Sequence, residues 1–312
     1  MSIEIRKKNI AKLAKKFPCK KISNLALEVI IPKHLFEDIS IATKTYIAKC
    51  IDTQNVILDE KKLLKKFIAK KKLIKNITPN GIIVPKAEVA LEFNLLVKSY
   101  VDIIKFLNID NLITNFHFPP NLRVKFSKTN KKNLNRKHPT EAMHADTWTG
   151  ANPNWLAVHL FILGDIKKNH IRYAQPPKNF KEDWLKPINK AKDGDIISKK
   201  FNIINYVPKK GSLVIADASV IHQSYRKKNA GIRISLDTGF DMKIPNLKSF
   251  KKTMVNKIDV KKIRSKETIN NDLFLNIGKK TYFHFPDSFT NKVYSKGGFK
   301  HPSNVNLIKL NN

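Results

Sequence analysis

The chain has 312 residues, 42% apolar and 27% charged, which excludes disordered, collagen-like and low-complexity proteins and leaves room for one large or two smaller domains. Its formal net charge is +35, yet 53 of its 60 basic residues are Lys and only seven are Arg, the residue that forks onto phosphates and reads bases. The lysines are spread along the whole chain beside abundant Asn and Ile, so they read as solvated faces and not as a nucleic-acid footprint. An electrostatic funnel for an anionic substrate is the second reading of that charge.

The longest apolar run, Trp155 to Leu163, is nine residues and carries His159, too short for a membrane span. The opening MSIEIRKKNIAKLAKKF lacks the apolar stretch of a signal peptide. Two cysteines, Cys19 and Cys50, exclude a disulfide framework and a multi-cysteine metal site. The expectation is a cytoplasmic protein with reduced thiols and no membrane contact; oligomeric state is not readable.

In chain order, a helical pattern spans Lys7 to Phe17 and stops at Pro18. Residues 57–75 place Leu63, Leu64, Phe67 and Ile68 on one stripe of an amphipathic helix. After Pro85, which suits a helix start, apolar residues recur at Val89, Phe93, Leu96, Val97, Tyr100, Ile103, Ile104 and Leu107. Residues 1–115 therefore read as a helical N-terminal region.

From Phe116 the segments become short and alternating. Leu122, Val124 and Phe126 alternate with polar neighbours; Leu156–Ile162 and Leu213–Ala216 read as buried strands; Ile232, Ile234 and Leu236 alternate again. Many short strands joined by turns predict a sandwich or jelly roll over residues 116–245. Residues 246–312 read as a basic C-terminal extension packed on that core.

Three residues in the predicted core have metal-ligand character. His144 and Asp146 form a His-x-Asp pair, and His222 follows Asp146 by 76 residues. On a strand, residues i and i+2 share a face, so the pair would aim an imidazole and a carboxylate at one point. A second imidazole from a neighbouring strand completes two His and one carboxylate, the facial set of non-haem Fe(II) oxygenases. The pair alone carries little information, because this composition yields about 0.7 such pairs by chance. Arg233, 11 residues after His222 and followed by Ser235, adds weight. A turn over Lys227–Gly231 would return Arg233 alongside His222, and a buried Arg calls for an anion. The alternative is an ion pair with Asp217 or Asp237.

The series His144-x-Asp146, His222, Arg233-x-Ser235 resembles the 2-oxoglutarate/Fe(II)-dependent dioxygenase superfamily, in its phytanoyl-CoA-dioxygenase-like branch, over residues 116–240. The segment GSLVIADASVIHQS is similar to that family's strand leading into the distal histidine. The resemblance implies an α+β chain with a double-stranded β-helix (cupin-like jelly roll) core. It implies iron held by His144, Asp146 and His222, which are the catalytic centre. The 2-oxoglutarate is held by Arg233 with a hydroxyl from Ser224 or Ser235, and O2 is the co-substrate. It also implies oxidation of a small molecule, usually by hydroxylation, with release of succinate and CO2, and a carbohydrate-related biosynthetic substrate. Asp146 argues against halogenation, since halogenating relatives lack that carboxylate.

Around this centre, Trp148 and Trp155 line a substrate pocket or pack in the core. The stretch from Lys167 to Tyr206, with Arg172 and Trp184, is long enough for a lid that selects substrate. His159 reads as a core or pocket histidine. Two competing functions are a non-oxygenase cupin-type protein and a nucleic-acid-directed oxygenase.

Overall fold

The computed structural model describes residues 1–51, 57–71, 77–78, 80–83, 89–109, 111–117, 120–128, 139–188 and 191–243, with a short strand at 257–259. Pro85 and the rest of the basic C-terminal extension lie outside the described residues.

Four helices precede most of the strands. α1 (Ile3–Leu13) is capped by the Ser2 hydroxyl, and Ile10 and Leu13 are buried on it. α2 (Lys33–Cys50) begins after Pro32, and α3 (Glu60–Ala69) is capped by Asp59, whose carboxylate accepts the Lys62 N–H. α4 (Ala90–Leu107) ends on Asn108 in the left-handed conformation that closes helices. The periodic face predicted for α4 is buried throughout, from Val89 to Leu107. On α3, Leu63, Leu64 and Phe67 are buried, whereas Ile68 is exposed at 48%, because the stripe is only one turn wide.

The strands form two antiparallel sheets. The larger runs β1 (Cys19–Ser23), β2 (Ala26–Val29), β8 (Leu213–Asp217), β5 (Trp155–Gly164), β10 (Arg233–Met242), β3 (Ile113–His117) and β11 (Lys257–Asp259), with β4 (Asn121–Lys125) also on β10. The smaller runs β7 (Asn202–Ile203), β6 (Asn169–Gln175) and β9 (Ile221–Arg226). A backbone bridge between His144 and His222 adds the segment before Asp146 to the free edge of β9.

The hairpin β1–β2 corrects the expectation of a mostly helical first 115 residues: β2 pairs with β8 and extends the large sheet. Two lysines in the short edge strand β1 hide its alternation, and edge lysines are a common protection against strand pairing.

Alternation assigns the two faces of the large sheet. Leu156, Val158, Leu160 and Ile162 of β5 and Ile234, Leu236 and Phe240 of β10 share one core with Tyr46, Phe67, Phe93 and Leu96 of the helices. Burying Phe67 there contributes about 2 kcal/mol. The opposite face carries His159 and Phe161 from β5 and Arg233, Ser235 and Asp237 from β10, and it looks toward the small sheet. That interior holds the polar residues that the apolar core cannot explain.

Candidate metal centre

His144, Asp146 and His222 each place one ligand atom within 4.8 Å of the others. The His222 Nε2 lies 3.6 Å from Asp146 Oδ1, and the two imidazole rings are 4.4 Å apart. The backbone bridge fixes this pairing, with His144 N donating to His222 O and His222 N to His144 O, at 3.0 and 2.9 Å. The His144 Nδ1–H donates to the Ala142 carbonyl at 2.9 Å, which leaves Nε2 with its lone pair for a metal. Burial, then the neighbouring His222, pushes the His144 pKa down to about 3, so the neutral ligand form holds over the physiological range. Burial opposes ionisation of Asp146, but the imidazoles around it and the Trp155 N–H outweigh burial and hold it below the ordinary carboxylate value.

Asp146 does not sit on a strand, as the i, i+2 argument expected. It opens a 3-10 turn, Asp146–Thr149, which Gly150 ends with a φ of 107°. Its orientation comes instead from Trp155, whose indole N–H donates to Oδ2 at 2.9 Å and leaves Oδ1 for the metal. Trp155 can lie there only because residue 239 is glycine: a Cβ at Gly239 would stand 2.1 Å from the indole ring. Sequence reasoning left Trp155 undecided and missed Gly239, whose only signal was a glycine inside a strand pattern. Trp155→Phe should keep an aromatic ring at this position and lose the bond, weakening Fe(II) binding about 10-fold or more. Anaerobic metal titration checks this, and unchanged affinity would show that Asp146 is held by other contacts.

Arg233 is fully buried, and its Nε and both Nη atoms have no hydrogen-bond partner among the described residues. The expected turn does not lay Arg233 beside His222 in one sheet. β9 and β10 belong to different sheets, and Arg233 pairs in register with Lys125 and Gly164. The connection crosses between sheets because both sheets close one interior. Neither candidate ion pair forms: Asp217 accepts from Arg6, and Asp237 accepts from Arg123 and from the Ser235 hydroxyl. Burial lowers the Arg233 pKa to about 10, with Asp237 opposing, so the side chain stays charged at neutral pH. Directly across the ladder, burial and then Arg123 bring Lys125 down to about 7, and Lys125 bonds Glu141 at 3.1 Å. Ser224 shares the inward face of β9 with His222, and Ser235 shares that of β10 with Arg233.

His159 is buried on the inward face of β5, beside His222. Its Nδ1 meets the Tyr173 hydroxyl at 3.1 Å, and its ring lies edge-on to His222 at 5.0 Å. Burial first holds His159 at about 3 and His170 at about 4. These depressed values, with His144, mean that the unfolded chain binds more protons below the ordinary imidazole pKa of about 6.5. These histidines therefore contribute stability to the metal-free protein that is full above that pH and is lost as pH drops toward 3. Urea midpoints at pH 7 and pH 5 test this; His170→Gln should reduce the difference, and equal midpoints in the parent chain would contradict it.

The other predicted pocket residues are placed differently. Trp148 is buried, and its indole N–H donates to the Trp184 carbonyl at 2.7 Å. Trp184 packs on Phe180 and Phe201. Arg172 stacks on Tyr225 at 3.4 Å, on the face of β6 opposite to Tyr173, away from the metal centre. Part of the predicted lid is itself core, because β6 pairs with β9. The remainder, with the 3-10 turn Glu182–Leu185 and α5 (Ala191–Ser198), packs on the Asp146 turn through Trp148, Leu185 and Ile188.

Among the described residues no helix is long and apolar enough to cross a membrane. No family model matches the chain, and no curated protein does. Solved structures similar to it include the non-haem alpha-ketoglutarate-dependent epimerase SnoN of nogalamycin biosynthesis, at 11% identity and a TM-score of 0.40, over 80% of this chain and 94% of that one. An N-substituted L-amino acid dioxygenase from Burkholderia ambifaria is similar at 13% identity and a TM-score of 0.34, over 78% and 91%. EctD from S. alaskensis, solved with 2-oxoglutarate and 5-hydroxyectoine, is similar at 12% identity and a TM-score of 0.37, over 77% and 76%.

Proposed function

We propose that the chain is a non-haem Fe(II)/2-oxoglutarate-dependent dioxygenase that hydroxylates a small molecule inside a jelly-roll core. The observation that carries this reading is Arg233: a charged guanidinium, 0% exposed, without a hydrogen-bonding partner among the described residues, on an interior shared with two imidazoles and a carboxylate at ligand spacing. A buried cation of this kind calls for an anion. A metal centre beside it calls for an anion that also chelates, and a 2-oxo dicarboxylate is both. The strand order supports the jelly roll, since the chain alternates between sheets from β4 through the His144 segment, β5, β6–β7, β8 and β9 to β10.

In this reading His144 Nε2, Asp146 Oδ1 and His222 Nε2 hold Fe(II), a donor set that leaves three positions open. Arg233 forks onto the distal carboxylate of 2-oxoglutarate, with the hydroxyl of Ser224 or Ser235 as its partner. When bound, iron and 2-oxoglutarate supply O2 activation with release of succinate and CO2. The chain's own residues fix geometry: Trp155 holds Asp146, and Tyr173 fixes the tilt of His159 beside His222. His144 and Asp146 are the partly exposed members of the triad, with the Asp146 side chain at 32%, so substrate approaches on their side. The surface lysines favour an anionic substrate, the family resemblance suggests a carbohydrate-related one, and two free cysteines fit a cytoplasmic location.

The test is anaerobic. Fe(II) followed by 2-oxoglutarate, added to the metal-free protein, should give the visible charge-transfer band of a chelated iron–oxoacid complex. Folded protein that gives no band would remove the reading and favour a non-oxygenase jelly roll.

A further inference from the structure

Arg6 stands on α1, far along the chain from the metal centre, and is 0% exposed. Its guanidinium reaches three separate segments. Nη1 donates to the Pro153 carbonyl and to Asp217 Oδ1, each at 2.9 Å. Nε donates to Glu182 Oε2 at 3.2 Å, and Nη2 donates to Glu182 Oε1.

Each segment leads to a metal ligand. Pro153 lies two residues before Trp155, which holds Asp146. Glu182 opens the 3-10 turn whose Trp184 carbonyl accepts from Trp148, on the same turn as Asp146. Asp217 Oδ1 also accepts from Ser219 N at 2.8 Å and Ser219 Oγ at 2.6 Å, which shapes the turn three residues before His222.

A buried arginine–carboxylate network contributes little net stability compared with apolar residues filling the whole site, although removing the arginine alone strands its carboxylates. Its value here lies in register: one rigid fork fixes three segments relative to one another. We propose that Arg6 is a positioning residue for the metal centre, locking the segments that carry Asp146 and His222 into one arrangement. The N-terminal helix is thereby part of the site's scaffold. This inference rests on the reading of His144, Asp146 and His222 as metal ligands.

The test uses full-length Arg6→Met, Arg6→Lys and Glu182→Gln, with anaerobic Fe(II) and Co(II) titration and amide hydrogen exchange. Arg6→Met should weaken metal binding about 10–100-fold, the range for residues that support ligands. Exchange should rise in residues 144–155 and 217–223 while β5 beyond residue 156 and β10 exchange as in the parent. Arg6→Lys, which keeps the charge and loses the fork, should fall between. Glu182→Gln should raise exchange around 146–149 and spare 217–223. If Arg6→Met does not fold, Arg6→Lys and Glu182→Gln carry the test. Folded variants with parent-like exchange in both segments overturn the proposal. A parent chain that binds no metal overturns the metal reading on its own, and the exchange pattern then decides whether Arg6 fixes the two segments.

Discussion

Arg233→Met should weaken 2-oxoglutarate binding about 100-fold, the loss of roughly 3 kcal/mol of charged, forked hydrogen bonding. Fe(II) affinity should stay near that of the parent, since Arg233 is not a ligand. The same substitution should leave the metal-free protein at least as stable as the parent. Arg233 is buried, charged and without a hydrogen-bond partner among the described residues, so the apo fold carries its desolvation and gains no bond from it. A structural arginine behaves in the opposite way, because its removal strands a buried carboxylate. Isothermal titration with 2-oxoglutarate and a urea melt of the apo-protein separate the two roles. Normal co-substrate affinity, or a loss of several kcal/mol in apo stability, would assign Arg233 to the scaffold.

His222→Ala should abolish Fe(II) binding altogether, a larger effect than the roughly 10–100-fold expected from supporting residues. His222 is the only buried member of the triad, and it faces Asp146 at 3.6 Å. Removing it leaves one imidazole and one carboxylate, two ligands where a facial site needs three. The backbone bridge to His144 does not depend on the side chain, so the β9 edge should survive and circular dichroism should be unchanged. Retention of metal in folded His222→Ala would place the centre elsewhere. Loss of metal together with intact 2-oxoglutarate binding at Arg233 would show two separable subsites.

The candidate triad is legible because metal chemistry limits its residue types: His222 and Arg233 lie on strands, whereas His144 and Asp146 offer only their His-x-Asp spacing. The helix face from Val89 to Leu107 was legible for the same reason that it is buried: period and burial are one property of an amphipathic helix. The β1–β2 hairpin was not, since four- and five-residue strands with edge lysines carry too few alternations to register. The geometry of Asp146 was misread, because His-x-Asp has the same spacing whether the chain continues as a strand or turns into a 3-10 helix. Arg172 and Trp184 read as pocket residues from their place in a long insert, and insert length does not say which face of β6 a side chain takes or what an indole packs on.

What the sequence determined by itself was the chemistry available: two imidazoles, a carboxylate and an arginine in strand-like surroundings, within a chain able to bury them. What only the tertiary structure decided was which long-range partners each of these keeps. Asp217 goes to Arg6 across 211 positions and Asp237 to Arg123 across 114, so Arg233 is left without a hydrogen-bonding partner among the described residues. Sequence proximity favours the pairing of Arg233 with Asp237, but the inward faces of two closing sheets bring distant side chains nearer than neighbours. Hydrogen bonds then form where geometry permits, and Arg233 is the buried guanidinium left without one among the described residues.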